Sequence, residues 1–395
     1  MNRGEKIMKK CNSIKLASLT VLLAGTTIFA PGFTLKADSA QNISSPSQVH
    51  DQKNRNSLKR VMEETVQLGA TGILAKAYNN GKTSSYTAGV ADLSTKKPMK
   101  SDYRFRIGSV TKTFTATTVL QLVGENRLQL DDSIEKWLPG LIQGNGYDGN
   151  QITIRQLLNH TSGIAEYLKS KDADIMNSKK TYVAEEIVKI GLALPPDFSP
   201  GKGWLYSNTG YVILGMLIEK ITGNSYAEEI EKRIIEPLNL SNTFLPGNSP
   251  VIPGKNHARG YVKIDGESEL KDMTDYNPSL ANAAGDMISN ADDLNKFFSS
   301  LLGGKLLKQR ELKEMLTTVP VEGKEVGDGY GLGIYETKLP NGVSVWGHGG
   351  GIPGFTTFAG GVIGGKHTLA ISVNSIGGID IVPQFNKMMQ IEFKK

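Results

Sequence analysis

The spacing of apolar and polar positions changes along the chain, and each change predicts an element. Leu58, Val61, Met62, Thr65, Val66 and Leu68 recur at helical spacing, and Gly69 ends that run. Gly72–Tyr78 and Thr83–Val90 read as strands joined by Asn79-Asn80-Gly81-Lys82, a hairpin signal. Phe105-Arg106-Ile107 is a short approach to a helix predicted from about Ser109 to Gly124. Helical spacing continues through the middle, in Ile154–Asn159, Val183–Ile190 and the strongly apolar Thr209–Thr222, which stops at Gly223. Ser225-Tyr226-Ala227-Glu228 is a capping box for a further helix, and Asn290 can cap another over Ala291–Leu302. Strand patterns return in Tyr330–Thr337, Val343–His348, Phe355–Ile363 and Thr368–Asn374, with Gly-rich turns between them. A last helix is predicted near Ile379–Ile391.

Strands at both ends with helices between predict an α+β fold. The short hairpin links favour an antiparallel sheet, flanked by helices. Its domain is discontinuous, built from residues 54–125 and 275–395, with an all-helical region over 126–274 inserted between them.

Composition narrows the class. Hydrophobic residues make up 39% and charged residues 21%, which excludes a disordered or polytopic membrane chain. The net charge of +6 and pI near 9.0 invite a nucleic-acid reading. That basicity is local, because Arg3, Lys6, Lys9, Lys10, Lys15 and Lys36 face only Glu5 within residues 1–37. Those residues also hold the apolar run Leu16–Ala30 and end on Leu35-Lys36-Ala37, the pattern of a signal peptide cut after Ala37. The polar stretch Asp38–Lys53 then reads as a flexible lead-in. A secreted protein is expected, free or held at the cell wall, with no membrane span after processing and no nucleic-acid partner. The single Cys, Cys11, lies in the leader, which excludes a disulfide scaffold and a Cys-based zinc site. His50, His160, His257, His348 and His367 show no metal-ligand spacing, so neither metal nor cofactor is expected.

Three short motifs carry candidate chemistry. In Ser109-Val110-Thr111-Lys112 the hydroxyl and the amine share one helical face. Ser94–Lys97, Ser199–Lys202 and Ser268–Lys271 have the same spacing, but only Ser109 opens a long apolar helix. Lys112 is the sole charge from Ile107 to Gly124, and desolvation there makes a lysine a base near neutral pH. A serine cap followed by a snorkelling lysine would look the same. Tyr206-Ser207-Asn208 follows the loop Ser199–Gly203, and pairs a proton-relaying hydroxyl with an amide that can orient a substrate carbonyl. His348-Gly349-Gly350-Gly351 ends a strand, where glycines admit a substrate backbone and the Gly351 N–H can face an oxyanion. His160, in Leu157-Leu158-Asn159-His160-Thr161-Ser162-Gly163, reads as structural. No Gly-x-Ser-x-Gly elbow and no phosphate-binding Gly loop occurs.

Taken in order, the three motifs resemble the serine penicillin-recognising family. Tyr-x-Asn as second motif is similar to class C β-lactamases and secreted D-alanyl-D-alanine carboxypeptidases. His-x-Gly as third is similar to the carboxypeptidases and the alkaline D-peptidases. Arg155–Ile164, Pro200–Gly215 and Ala283-Ala284-Gly285 followed by Ser289 extend the resemblance over about residues 55–390. It implies a β-lactamase/transpeptidase-like fold with the site between the sheet domain and the helical region. It implies Ser109 as acylated nucleophile, Lys112 as its base, Tyr206 as proton relay and His348 beside the Tyr206 hydroxyl. Asn208, Gly349, Gly350 and Gly351 would contact substrate, with the Ser109 and Gly351 N–H groups as oxyanion hole. Where such carboxypeptidases carry an arginine for the substrate carboxylate, this chain has Tyr335, in Gly331–Lys338. The implied substrate is a D-amino-acid-containing peptide or a peptidoglycan stem peptide, with β-lactams as acylating ligands. An esterase on the same residues, or a β-lactam-binding protein with little turnover, are the rival readings.

Overall fold

In the computed structural model, residues 46–321 and 327–394 are described; the predicted leader lies outside them. The lead-in is cut short, because the chain is already helical from Pro46 in α1 (Pro46–Gln67). Proline suits the first helical position, and no Gly or Pro interrupts the following run. Asn80 and Gly81, at φ +48° and +87°, fold β1 (Gly72–Asn79) onto β2 (Lys82–Asp92) in a two-residue turn. The edge strand β3 (Lys97–Pro98) follows.

The helix α2 (Thr111–Gly124) comes next, then α3 (Ile154–Leu158), α4 (Ala184–Leu192) and α5 (Asn208–Thr222). The Ser225 capping box forms as predicted and opens α6 (Tyr226–Ile230). α7 (Ala291–Leu302) starts at the Asn290 cap, and the short α8 (Gln309–Met315) was not anticipated. The chain then returns to the sheet in β4 (Gly329–Tyr330), β5 (Tyr335–Lys338), β6 (Ser344–Ile352), β7 (Phe355–Gly361) and β8 (His367–Val373). It closes with α9 (Val382–Glu392).

The eight strands form one antiparallel sheet in the order β4-β5-β6-β7-β8-β1-β2-β3. The two ends of the chain meet at its centre, where β1 pairs β8 with Ile73 opposite Val373. Side chains alternate across β1. Ile73, Ala75 and Ala77 face α1 and α9, among Leu58, Met62, Phe385 and Met388. Leu74 joins the larger core on the other side with Phe114 of α2 and Phe297 of α7, whose rings stack at 3.7 Å. On that side Lys76 reaches Asp292 of α7 as an ion pair.

Two expectations are corrected. The inserted region is mostly helical but not all-helical. It holds the strand pairs Gln143–Gly144 with Tyr147–Asp148 and Tyr261–Lys263 with Leu270–Asp272. Tyr330–Thr337 is not one strand. Gly333 sits at φ +73°, its carbonyl accepts from Thr113 Oγ1 at 2.8 Å, and the turn between β4 and β5 docks on α2. The insertion is tied at its base, where Phe105–Arg106 pairs with Ile288–Ser289.

Candidate active site

Ser109 lies in a 3-10 turn, Gly108–Val110, that feeds directly into α2. The Gly-rich strand is what this turn packs against. β6 was expected to end at His348, yet it runs on through Ile352 and packs against the Ser109 turn. A Cβ on Gly350 would sit 2.0 Å from the Ile107 carbonyl oxygen and 3.1 Å from the Ser109 nitrogen. Gly108, at φ +51°, meets the Gly351 backbone in the same way. Gly350 is buried and Gly351 exposed, so the bare backbone of the third motif serves first to let the Ser109 turn approach.

Lys112 is fully buried, one turn below Ser109. Its Nζ donates to Asn208 Oδ1 at 2.6 Å and to the Ala284 carbonyl at 2.7 Å, with Ser109 Oγ at 3.2 Å. The rings of Tyr206 and Tyr211 lie 4.9 and 5.3 Å from the nitrogen. Burial pulls the ammonium well below the ordinary lysine range, and the nearby Glu166 carboxylate pulls it part of the way back. In the neutral amine, two hydrogens serve Asn208 and Ala284 and the lone pair is left for the Ser109 hydroxyl.

Tyr206 completes the triangle. Its hydroxyl lies beside Ser109, and burial raises it well above the ordinary phenol range, so it carries its proton. Its backbone is held from both sides by His160. The His160 carbonyl accepts from Leu205 N–H at 3.1 Å, and Nδ1 accepts from Ser207 N–H at 3.2 Å. The imidazole also packs on the Tyr206 ring at 4.3 Å. Burial keeps that imidazole neutral, and the ring holds the Tyr206 segment in place.

Three sequence assignments find different surroundings. His348 is near Tyr206, with ring centroids 6.2 Å apart, but is not bonded to its hydroxyl. Its Nε2 meets the Tyr330 hydroxyl at 2.9 Å and its Nδ1 the Gly349 carbonyl at 2.5 Å. Burial holds its pKa down at about 3, so it is a neutral ring that braces the strand. Asn208 turns its carbonyl to Lys112 and gives one Nδ2 hydrogen to Glu166 Oε2 at 2.9 Å. Tyr335 is 9% exposed, and its hydroxyl lies against Gly349 on the face of β6.

Glu166, Tyr330 and the Ala284 carbonyl were missed. Glu166 had a faint signal: one acid between Ile164-Ala165 and Tyr167-Leu168, just past His160-Thr161-Ser162-Gly163. A backbone carbonyl leaves no mark in a sequence.

Comparison with known proteins gives the family. The Beta-lactamase family profile matches residues 58–381. Penicillin-binding protein 4* of Bacillus subtilis (strain 168) is 33% identical over 284 residues, 69% of this chain. The chain spans 61% of that relative's length. Among solved structures, a D-stereospecific amidohydrolase from Streptomyces sp. is 40% identical with a TM-score of 0.79, covering 86% of this chain and 98% of its own. A D-amino acid amidase from Ochrobactrum anthropi SV3, complexed with D-phenylalanine, is 31% identical with a TM-score of 0.78 over the same shares.

Proposed function

Because the chain belongs to the β-lactamase family, we propose that this serine hydrolase cleaves amide bonds at D-amino-acid residues through an acyl-enzyme on Ser109. One observation carries the reading: Lys112 Nζ, buried and depressed in proton affinity, sits between Ser109 Oγ, Asn208 Oδ1 and the Ala284 carbonyl.

The neutral amine takes the Ser109 proton as Oγ attacks the substrate carbonyl carbon. The oxyanion that forms is met by the N–H groups of Ser109 and Gly351, on the facing segments that Gly350 brings together. Tyr206, which keeps its proton, gives it to the departing nitrogen as the C–N bond breaks, and recovers one from Lys112. Water then attacks the ester by the reverse proton path and frees Ser109. His348 and Tyr330 do not enter these steps; they hold the strand that carries Gly349–Gly351.

The D-preference rests on the two solved relatives, a D-stereospecific amidohydrolase and a D-amino acid amidase. The preference for an internal or amidated residue over a free terminal carboxylate rests on Tyr335. It stands in the strand where the resembling carboxypeptidases carry a carboxylate-binding arginine, and its hydroxyl lies against Gly349. The basic and apolar leader supports export, so peptides bearing D-residues outside the cell, stem peptides of peptidoglycan among them, are the proposed substrates. A β-lactam presents an acylating carbonyl to the same serine.

The test uses two synthetic peptides, one ending in free D-Ala-D-Ala and one carrying the same residues inside an amidated chain. Mass spectrometry of the products should show cleavage of the amidated chain and little release from the free acid. Ser109→Ala should abolish both while keeping the native circular dichroism. Release of D-Ala from the free acid alone would reverse the assigned preference, and turnover by Ser109→Ala would remove the nucleophile assignment.

A further inference from the structure

We propose that Glu166 is a positioning residue: it fixes the orientation of the Asn208 carboxamide and so aims the unprotonated nitrogen of Lys112 at Ser109. This inference rests on the reading of Ser109 as the nucleophile and Lys112 as its base.

A carboxamide can turn either end toward a neighbour. With its NH₂ toward Lys112, Asn208 would set donor against donor and leave the lysine one acceptor short. Glu166 decides the matter. Its Oε2 accepts from the Asn208 backbone N–H at 2.5 Å and from Nδ2 at 2.9 Å, a grip at two points that sets the plane of the amide. Its Oε1 accepts from Leu168 N–H at 3.0 Å, so the carboxylate itself is fixed as the cap of the 3-10 turn Tyr167–Lys169. Burial raises the Glu166 carboxyl, but Oε1 already accepts from Leu168 N–H and Oε2 from Asn208 N–H, so both oxygens act as acceptors here. The Nδ2 end of Asn208 must therefore face Glu166, and Oδ1 must face Lys112, where it takes one hydrogen at 2.6 Å. With Ala284 taking another, the remaining direction on Nζ points at Ser109.

Glu166 also sets the charge balance around Lys112. The groups facing the amine are Glu166, Tyr206, Tyr211, His160 and His348. Both imidazoles are held neutral by burial, and both phenols keep their protons. Among these groups Glu166 alone can carry a negative charge. It stabilises the ammonium against desolvation, so its removal lets Lys112 lose its proton at lower pH.

The experiment follows labelling of Ser109 by a fluorophosphonate across pH, with the full chain, so that D-peptide specificity does not enter. Glu166→Gln keeps the shape but removes the charge. It should label ~10–10²-fold more slowly on the plateau, with the acidic limb displaced to lower pH. Glu166→Asp keeps the charge but withdraws it from Asn208, so the rate should fall while the limb stays near that of the wild type. An unmoved acidic limb in Glu166→Gln overturns the proposal whatever its rate. Should that variant fail to fold, wild-type labelling by Glu166→Asp overturns the orienting role. Labelling of Ser109→Ala would overturn the nucleophile assignment, a failure distinct from that of Glu166.

Discussion

At the scale of single residues, the proposed base is made by surroundings rather than by identity. Lys112 has 0% exposure, and its charge is countered by one carboxylate that Asn208 keeps at a remove. A permanent cation in its place should therefore fail. Lys112→Arg preserves charge and donors, but a guanidinium does not give up its proton in this range. Acylation of Ser109 should drop ~10²–10⁴-fold at every pH, the usual worth of a positioned base. Stopped-flow acylation with a short activated ester measures it, and a mere shift of the profile to higher pH would mean that Lys112 acts through charge alone.

At the scale of elements, the Gly-rich strand is a docking surface. Ser109 owes its place to a turn pressed onto β6, and the contact depends on Gly350 having no side chain. Gly350→Ala would put a methyl 2.0 Å from the Ile107 carbonyl oxygen, which is backbone and cannot swing aside. The turn must withdraw from Gly351, which separates the two proposed oxyanion donors. Activity should fall ~10²-fold or more, as one lost oxyanion donor typically costs, with stability lowered by ~1–3 kcal/mol. Activity assays and urea unfolding check it, and a folded variant of wild-type activity would remove the strand from the oxyanion site.

These contacts also mark where sequence reading stops. The helices at Thr209–Thr222 and Ala291–Leu302 were legible because periodicity and caps agree. So were the β1–β2 hairpin and the approach of Ser109 to Lys112, both local in the chain. The break at Gly331–Gly333, the continuation of β6 and the partners of His348 depend on segments far apart in sequence. Tyr330 faces His348 only because β4 folds back on β5. An alternating strand pattern cannot record that fold-back.

At the scale of the whole molecule, the insertion is fastened beside the site by a buried pair. The Tyr226 hydroxyl donates to Asp286 Oδ2 at 2.5 Å, and Asp286 follows the Ala284 carbonyl that holds Lys112. Burial raises the Asp286 carboxyl from 3.8 to about 7. Between those values the folded chain binds more protons than the unfolded one, so this group makes stability fall as pH rises. His348 works the other way. Its pKa is lowered from 6.5 to about 3, so its contribution is full above 6.5 and is lost as pH falls through that window. The two slopes oppose each other where their windows overlap. Asp286→Asn keeps an acceptor for Tyr226 and removes one slope. Its stability relative to the wild type should grow from pH 4 to pH 7.5, by on the order of a few kcal/mol. Urea midpoints at a series of pH values read this directly. A packing cost of the added amide would be constant with pH, so only the trend matters. A difference that does not change with pH would mean that Asp286 ionises in the folded protein as it does in the unfolded chain.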